Sequence, residues 1–336
     1  MNDQQAHSTS ESVRWGILGV SRIGTRAVFP AMLAALNTRV VAMASRDLAR
    51  AEYALAGLPG MQAYGSYEAL LEDPDVEAVY ISLPNGLHAE WVTRAAAAGK
   101  HVLCEKTLGM TPDETRAMVS VCERAGVLLM EAFMYRHHPQ IEWALAQVAD
   151  GEIGRVQLVR GGFGFNIAGR PDDIRLIAAL GGGSLLDVGC YPLNFARAIY
   201  GRGPFSAAAK VVVPAGSEVE RSVAAALDFG DGQLAVIDSN FLAPRDAFVE
   251  VVGDLGRLYI PRPFTPGRSD TVVRIERDDE TIERHFEGVD QYQLEVERFG
   301  LAIRTGTRPF LPPSDAIEQA DAIAMIYAAA GYAWPR

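Results

Sequence analysis

Gly19, Ser21 and Gly24 directly follow the apolar run Val13-Arg14-Trp15-Gly16-Ile17-Leu18. A buried strand that breaks into a glycine-marked turn and then a helix brings bare backbone N–H groups up to a pyrophosphate, so this stretch is read as dinucleotide binding, with Arg22 and Ile23 in the same turn. Ser21 stands where the G-x-G-x-x-G fingerprint has its second glycine; a hydroxyl fits there if it donates to phosphate and otherwise crowds it. The next apolar run ends Met43-Ala44-Ser45-Arg46, with no acid before Asp47. An acid at that position would take the two ribose hydroxyls, whereas a hydroxyl followed by a guanidinium suits a 2′-phosphate. The cofactor expected is therefore NADP(H), with Arg50, one turn into the following helix, as a second cation.

These residues need a particular scaffold. Apolar runs at 13–18, 39–45, 61–64, 78–83, 101–104 and 127–132 alternate with helical stretches at 47–56, 88–98 and 112–124, which predicts βαβ units and a doubly wound parallel sheet of Rossmann type. Thr111-Pro112-Asp113-Glu114 is a strong helix start. Beyond about residue 155 the texture becomes strand-rich, at 156–165, 207–213, 223–229, 233–240, 248–252, 257–260, 272–276 and 282–286, with a hairpin signal at Asp228-Phe229-Gly230-Asp231-Gly232-Gln233. Two helices, 291–304 and 314–330, close the chain. The fold class predicted is α/β: a cofactor domain over 13–135, then an α+β substrate-binding and oligomerisation domain over 136–336 with a large, mostly antiparallel open sheet. Few helices are available to cover that sheet, so its other face is expected to assemble a homodimer or homotetramer.

Composition narrows the partners. A net charge of −11 argues against nucleic acid, which is held chiefly by a basic face, and requires local cations for any phosphorylated cofactor. No apolar run approaches a membrane span. Residues 1–12 lack the features of signal and transit peptides and read as a disordered tail. Cys104, Cys122 and Cys190 are odd in number and lack metal-ligand spacing, which fits a reducing cytoplasm and gives no metal site.

Four segments carry a resemblance: Ser82-Leu83-Pro84-Asn85-Gly86-Leu87-His88, Gly99-Lys100-His101-Val102-Leu103-Cys104-Glu105-Lys106, Glu131-Ala132-Phe133-Met134-Tyr135-Arg136-His137-His138-Pro139, and Gly181-Gly182-Gly183-Ser184-Leu185-Leu186-Asp187-Val188-Gly189-Cys190-Tyr191-Pro192. In this order they resemble the glucose-fructose oxidoreductase / inositol dehydrogenase / rhizopine-catabolism family, and within it the dihydrodiol dehydrogenases, NADP-dependent xylose dehydrogenases and deoxysugar ketoreductases. The family's Glu-Lys-Pro motif falls on Glu105-Lys106-Thr107, and its second motif on Asp187 and Tyr191. The resemblance implies that these last two act with Lys106. Asp187 and Tyr191 are four apart, hence on one face if the segment is helical.

Hydride transfer to or from a carbon bearing oxygen requires a proton at that oxygen, a task for a positioned acid or base. Tyr191 is expected as proton donor, with Lys106 as the alternative, its pKa lowered by burial near the nicotinamide, and with Asp187 binding a sugar hydroxyl or steadying Lys106. Leu83, Pro84, Asn85 and His88 are expected under the nicotinamide ribose beside Glu105, although His88 also reads as a support of its turn. Arg136 and His138 are expected to reach the cleft, and Arg175 a substrate oxygen. Thr107 replaces a proline that commonly takes the cis form; because a cis bond before threonine costs about 2.5–4 kcal/mol, the sequence leaves open whether this bond is cis or trans, a trans bond displacing the Lys106 ammonium. The function implied is an NADP-dependent oxidoreductase acting on a secondary alcohol or ketone of a sugar, sugar derivative or cyclic diol, with a nucleotide-linked ketosugar reductase as a specific form. An NAD-dependent glycoside hydrolase and a non-catalytic NADP-binding sensor are the readings of other classes.

Overall fold

The computed structural model of the protein describes residues 12–278 and 280–333; the expected tail falls outside them except for Ser12. The first half alternates as its sequence pattern predicts: β1 (Val13–Leu18), α1 (Phe29–Ala34), β2 (Thr38–Ala44), α2 (Leu48–Ala54), β3 (Gln62–Tyr64), α3 (Tyr67–Leu71), β4 (Ala78–Ile81), α4 (His88–Ala97), β5 (His101–Glu105), α5 (Pro112–Ala125) and β6 (Leu129–Ala132). The strands form one sheet in the order β3-β2-β1-β4-β5-β6, with every pairing parallel. That order reverses between β1 and β4, and ligands of such sheets sit outside the carboxyl ends of the strands at the reversal. Near-continuous burial of β1 and β4 explains why both read as unbroken apolar runs.

The remaining elements are α6 (Pro139–Ala149), β7 (Val156–Gly164), α7 (Cys190–Tyr200), β8 (Ser206–Val212), β9 (Ser222–Asp228), β10 (Leu234–Asn240), β11 (Asp246–Gly253), β12 (Arg257–Ile260), β13 (Thr271–Arg277), β14 (Glu280–Phe286), α8 (Gln291–Thr305) and α9 (Pro313–Ala329). Eight strands form a second sheet, β14-β13-β12-β11-β7-β10-β9-β8. All its pairings are antiparallel except β7 with β10. The predicted hairpin joins β9 to β10, with Asp228 opposite Leu234.

Strand burial alternates in this sheet, so one face is core and the other is open. On the inner face α7 lies so close that a side chain at Gly161 would meet Pro192. The open face carries Leu234 and Val236, each about half exposed at 48% and 47%, beside ion-paired rungs such as Arg160 with Glu250 at 2.7 Å. The last two helices return to the first sheet's neighbourhood. On α8, the carbonyl of Glu297 accepts from the Asn37 amide at 2.8 Å, and on α9 Asp321 pairs with Arg116 of α5 at 2.6 Å. One buried apolar cluster runs through both halves, from Trp15 and Met130 to Phe163, Tyr191 and Val249. Among the described residues no helix is long and apolar enough to cross a membrane.

Candidate active site

The carboxyl end of β1 opens into the glycine turn. Gly19 has φ +102°, and a Cβ there would stand 2.8 Å from Leu83, so the turn requires glycine twice over. Ser21 neither crowds the turn nor loses its helix start. Its Oγ accepts the Gly24 N–H at 2.9 Å, which leaves the hydroxyl proton available to a ligand. Arg22 and Ile23 are exposed beside it. The helix that follows begins with a π-helical segment, Gly24–Val28, before α1. Arg50 reaches back from α2 and donates to the Val20 carbonyl at 2.8 Å, bracing the turn. At the end of β2, Ser45 is buried and its Oγ accepts the Asp47 N–H at 3.2 Å, while Arg46 is exposed. Burial pushes the Tyr67 hydroxyl up, and the positive charge of Arg46 pulls it back down; the net shift is upward. Two guanidinium groups thus follow the end of β2, with Arg50 on the glycine turn and Arg46 beside Tyr67.

The carboxyl end of β5 carries Glu105 and Lys106. The Lys106 ammonium donates to the Asp187 carbonyl at 2.5 Å and to Asp187 Oδ1 at 3.2 Å. Arg175 donates from Nε to the other carboxylate oxygen at 2.6 Å and also pairs with Asp173 at 3.2 Å. Lys106, Asp187 and Arg175 side chains are 11%, 17% and 28% exposed, so the triad is sheltered yet open to a small ligand. Burial pushes the Lys106 ammonium down, but the Asp187 carboxylate, with Cys190 and Glu105, outweighs it and holds the group above the ordinary lysine value. The expected lowering is therefore reversed, because a carboxylate is in direct contact with the ammonium. Burial likewise disfavours the Asp187 charge, and the two cations overcome it, leaving that carboxyl below the usual range.

Tyr191 occupies the next turn of the same helical stretch. Its ring centroid is 5.0 Å from the Lys106 ammonium, in a nest of Phe133, Tyr135, Phe163 and Phe264. The hydroxyl donates to the Met134 sulfur at 3.6 Å, and burial pushes it well above the ordinary tyrosine value. Ammonium and phenol ring are thus brought together, but the hydroxyl proton is directed at Met134. The Lys106–Thr107 peptide is cis, the alternative that Thr107 leaves open in the sequence. Thr107 is buried and its carbonyl oxygen lies 3.0 Å from the His88 ring.

The other expected residues separate into two groups. Asn85 faces the site from the loop after β4, its amide reaching the Thr107 hydroxyl at 3.4 Å and the Gly181 carbonyl at 3.3 Å. Leu83 is buried against Gly19, and Pro84 is half-buried between them. His88 is fully buried and turned inward, Nε2 on the Leu83 carbonyl at 2.9 Å and Nδ1 on those of Thr107 and Leu108, so it supports the loops rather than meeting a ribose. Glu105 accepts from Tyr80 at 2.6 Å. His138 is also withdrawn from the cleft: it is fully buried and caps α6, its Nδ1 accepting the Gln140 N–H at 3.1 Å. Arg136 is half-buried and donates to Asn194 of α7, three residues past Tyr191, at 3.2 Å, with its Nε buried and unpartnered. His138 alone is turned away, because its ring serves as the N-cap of α6.

Three contributors have no role of their own in the sequence reading, although Glu131 and Gly86 lie within its motif segments. Glu131 on β6 is buried behind the Lys106 loop and accepts the Leu108 N–H at 2.8 Å; burial pushes its carboxyl up to about 8. Tyr67 had no helix signal longer than five residues to announce it. Gly86 admits the segment 174–182 so closely that a Cβ there would lie 2.2 Å from the Ala179 carbonyl oxygen. That segment straps the second half of the chain over the first and carries Arg175 into the triad.

Comparison with known proteins places this geometry. Residues 13–133 match the family model described as oxidoreductase family, NAD-binding Rossmann fold, and residues 141–259 match the GFO/IDH/MocA C-terminal domain. The chain is similar to D-xylose 1-dehydrogenase (NADP(+)) 2 of Haloferax volcanii, 40% identical over 94% of this chain and 97% of that protein. It is also similar to the dTDP-3,4-didehydro-2,6-dideoxy-alpha-D-glucose 3-reductase of Saccharopolyspora spinosa, 38% identical over 88% and 89%. Among solved structures, a 3-ketoreductase from Actinomadura kijaniata in complex with NADP and TDP-benzene superposes with a TM-score of 0.90 at 33% identity, covering 95% of this chain and 98% of that one. By both halves of its sequence and by its fold, the chain belongs to the GFO/IDH/MocA oxidoreductase family.

Proposed function

We propose that the protein is an NADP(H)-dependent oxidoreductase that moves a hydride between nicotinamide and a secondary alcohol or ketone of a sugar, sugar derivative or cyclic diol. The observation that carries the reading is the Lys106–Asp187 pair at the carboxyl end of β5, on the same edge of the sheet as the glycine turn. The cofactor fits the residues present: Gly19 leaves the backbone bare, Ser21 keeps a donor proton, and Ser45, Arg46 and Arg50 suit a 2′-phosphate. When bound, nicotinamide supplies or accepts the hydride.

The chain's own residues manage the proton. Lys106 gives a proton from its ammonium to the substrate oxygen during reduction and, as the amine, removes one from the hydroxyl during oxidation. Asp187 orients that ammonium, and Arg175 keeps Asp187 ionised when Lys106 becomes neutral. Tyr191 offers its ring to the ammonium, a contact of roughly 0.5–2 kcal/mol, which favours Lys106 over the phenol as proton carrier. The Arg175–Asp187 edge is suited to sugar hydroxyls. A nicotinamide absorbance screen with NADP⁺ and NADPH over D-xylose, trans-dihydrodiols and dTDP-linked ketosugars tests the reading. Turnover of one class with preference for NADP(H) is expected; no turnover in any class despite tight NADP binding would refute it.

The open face of the second sheet supports a homodimer or homotetramer, because Leu234 and Val236 of β10 stand exposed on it. Light scattering should show an assembly that Val236→Arg weakens; a monomer at micromolar concentration would refute this. Three buried free cysteines suit a reducing cytoplasm.

A further inference from the structure

Glu220 lies in the link between β8 and β9, far in sequence from every residue that bears chemistry. It is fully buried, and no apolar packing role explains a carboxylate there. Four donors converge on it. Oε2 accepts the Ser184 N–H at 2.8 Å and the Ser184 hydroxyl at 2.7 Å; Oε1 accepts the Leu185 N–H at 2.9 Å and the Tyr327 hydroxyl at 2.9 Å. Two of these donors are backbone amides at the start of the helical stretch that begins Leu185–Gly189 and continues as α7. An anion at a helix N-terminus satisfies orphan N–H groups and interacts favourably with the helix dipole. Ser184 also contacts Ser239 of β10 at 2.9 Å, so the opening turn is tied to the sheet as well as to α9.

Asp187 is three residues beyond Ser184, and it meets Lys106 through both its carbonyl and its side chain. Any shift of this opening turn moves both acceptors together. We propose that Glu220 is the positioning residue that sets Asp187, and with it Tyr191, against Lys106. It touches no reacting atom and acts only through the helix start. The inference rests on the Lys106–Asp187 reading given above.

The chain has three lysines, Lys100, Lys106 and Lys210, so lysine-selective isotope labelling gives three side-chain nitrogen signals, with Lys106 assigned by its loss in Lys106→Arg. Lys106 is faced by Asp187 and Cys190 from the helix, Glu105 from its own strand, Arg175 from the strap, Glu131 from β6 and His88 from α4. Two variants of the full protein are titrated by NMR with and without NADP⁺. Glu220→Gln removes one strong acceptor and a charge; Ser184→Ala removes the hydroxyl's single bond to Glu220 and its tie to Ser239, keeps the backbone N–H bond and changes no charge. In both, Lys106 is expected to titrate lower by roughly half a pH unit or more, because a contacting opposite charge is worth about 1–3 units. Lys210 and the NADP⁺ dissociation constant should stay unchanged, while turnover of whichever substrate class the screen finds falls at least tenfold in Glu220→Gln. A folded Ser184→Ala protein whose Lys106 titrates as in the wild type overturns the proposal, including where Glu220→Gln fails to fold. Failure of the functional reading is separate: it would show as undiminished turnover in Lys106→Ala, whatever the two variants do to the titration.

Discussion

Lys106→Ala separates catalysis from stability, because the structure sets the two costs independently. The ammonium makes two bonds to Asp187, and removing one partner of a buried pair commonly costs about 3–5 kcal/mol when the other is left uncompensated. Asp187 is not left so. Arg175 remains on its second oxygen at 2.6 Å, so the loss reduces to the charge-assisted hydrogen bonds themselves, roughly 1–3 kcal/mol, and the melting temperature should fall by only a few degrees. Turnover depends on the proton, and a positioned general acid contributes about 10²–10⁴-fold, equivalent to roughly 3–5 kcal/mol of barrier at 1.36 kcal/mol per decade.

The assay is nicotinamide absorbance under saturating cofactor and substrate, with NADPH affinity measured separately by fluorescence. Cofactor affinity should move by a few-fold at most, since the phosphate-binding turn is at β1 and β2. A Lys106→Ala enzyme that binds NADPH normally and keeps more than a tenth of wild-type turnover would show that the ammonium is not the proton source. Tyr191→Phe supplies the comparison. It removes a hydroxyl that donates to Met134 and leaves the Lys106–Asp187 pair intact, so less than a tenfold loss is expected. If Tyr191→Phe instead loses a hundredfold while Lys106→Ala is mild, the phenol is the donor and the assignments exchange.

Arg46→Ala should lower the kcat/KM preference for NADP⁺ over NAD⁺ by about 10–100-fold, the worth of a charge-assisted contact of roughly 1.5–3 kcal/mol, and an unchanged ratio would remove Arg46 from the 2′-phosphate site. Gly86→Ala should destabilise by about 1–3 kcal/mol, because its Cβ would lie 2.2 Å from the Ala179 carbonyl oxygen; urea unfolding showing no loss would mean the strap is not held there. Glu131→Gln tests a pH dependence. The folded-state pKa of about 8 lies above the ordinary value, so the wild type has this contribution in full below about pH 4.5 and loses it as pH rises towards 8, at up to roughly 1.4 kcal/mol per unit. The variant should therefore gain on the wild type as pH rises through that window, and parallel stability curves would refute a buried neutral carboxyl.

Most of the scaffold was legible because strands buried on both faces write unbroken apolar runs, and a half-buried antiparallel sheet writes alternation. β1, β4 and the β9–β10 hairpin emerge within a residue or two of their predicted bounds for that reason. α7 left no such trace. It is buried from Cys190 to Arg197, and it opens among Gly189 and Pro192, residue types that read as breakers rather than as a helix. The site divides along the same line. Gly19, Ser45 and Lys106 stand at strand ends, where the fold rule connects chain position to function. His88 and His138 have side chains suited to a cleft, but which way each ring turns is decided by packing against carbonyls and a helix start that only the tertiary structure supplies. Glu220 marks the limit of sequence reading. Its four donors come from residues 184, 185 and 327, so its meaning lies in a convergence of distant segments, and a lone glutamate before an alternating strand gives no hint of it. The residues proposed to meet the reacting atoms were recognisable as motifs; the carboxylates proposed to hold those motifs in register were not, because their work is done on backbone N–H groups that every sequence has.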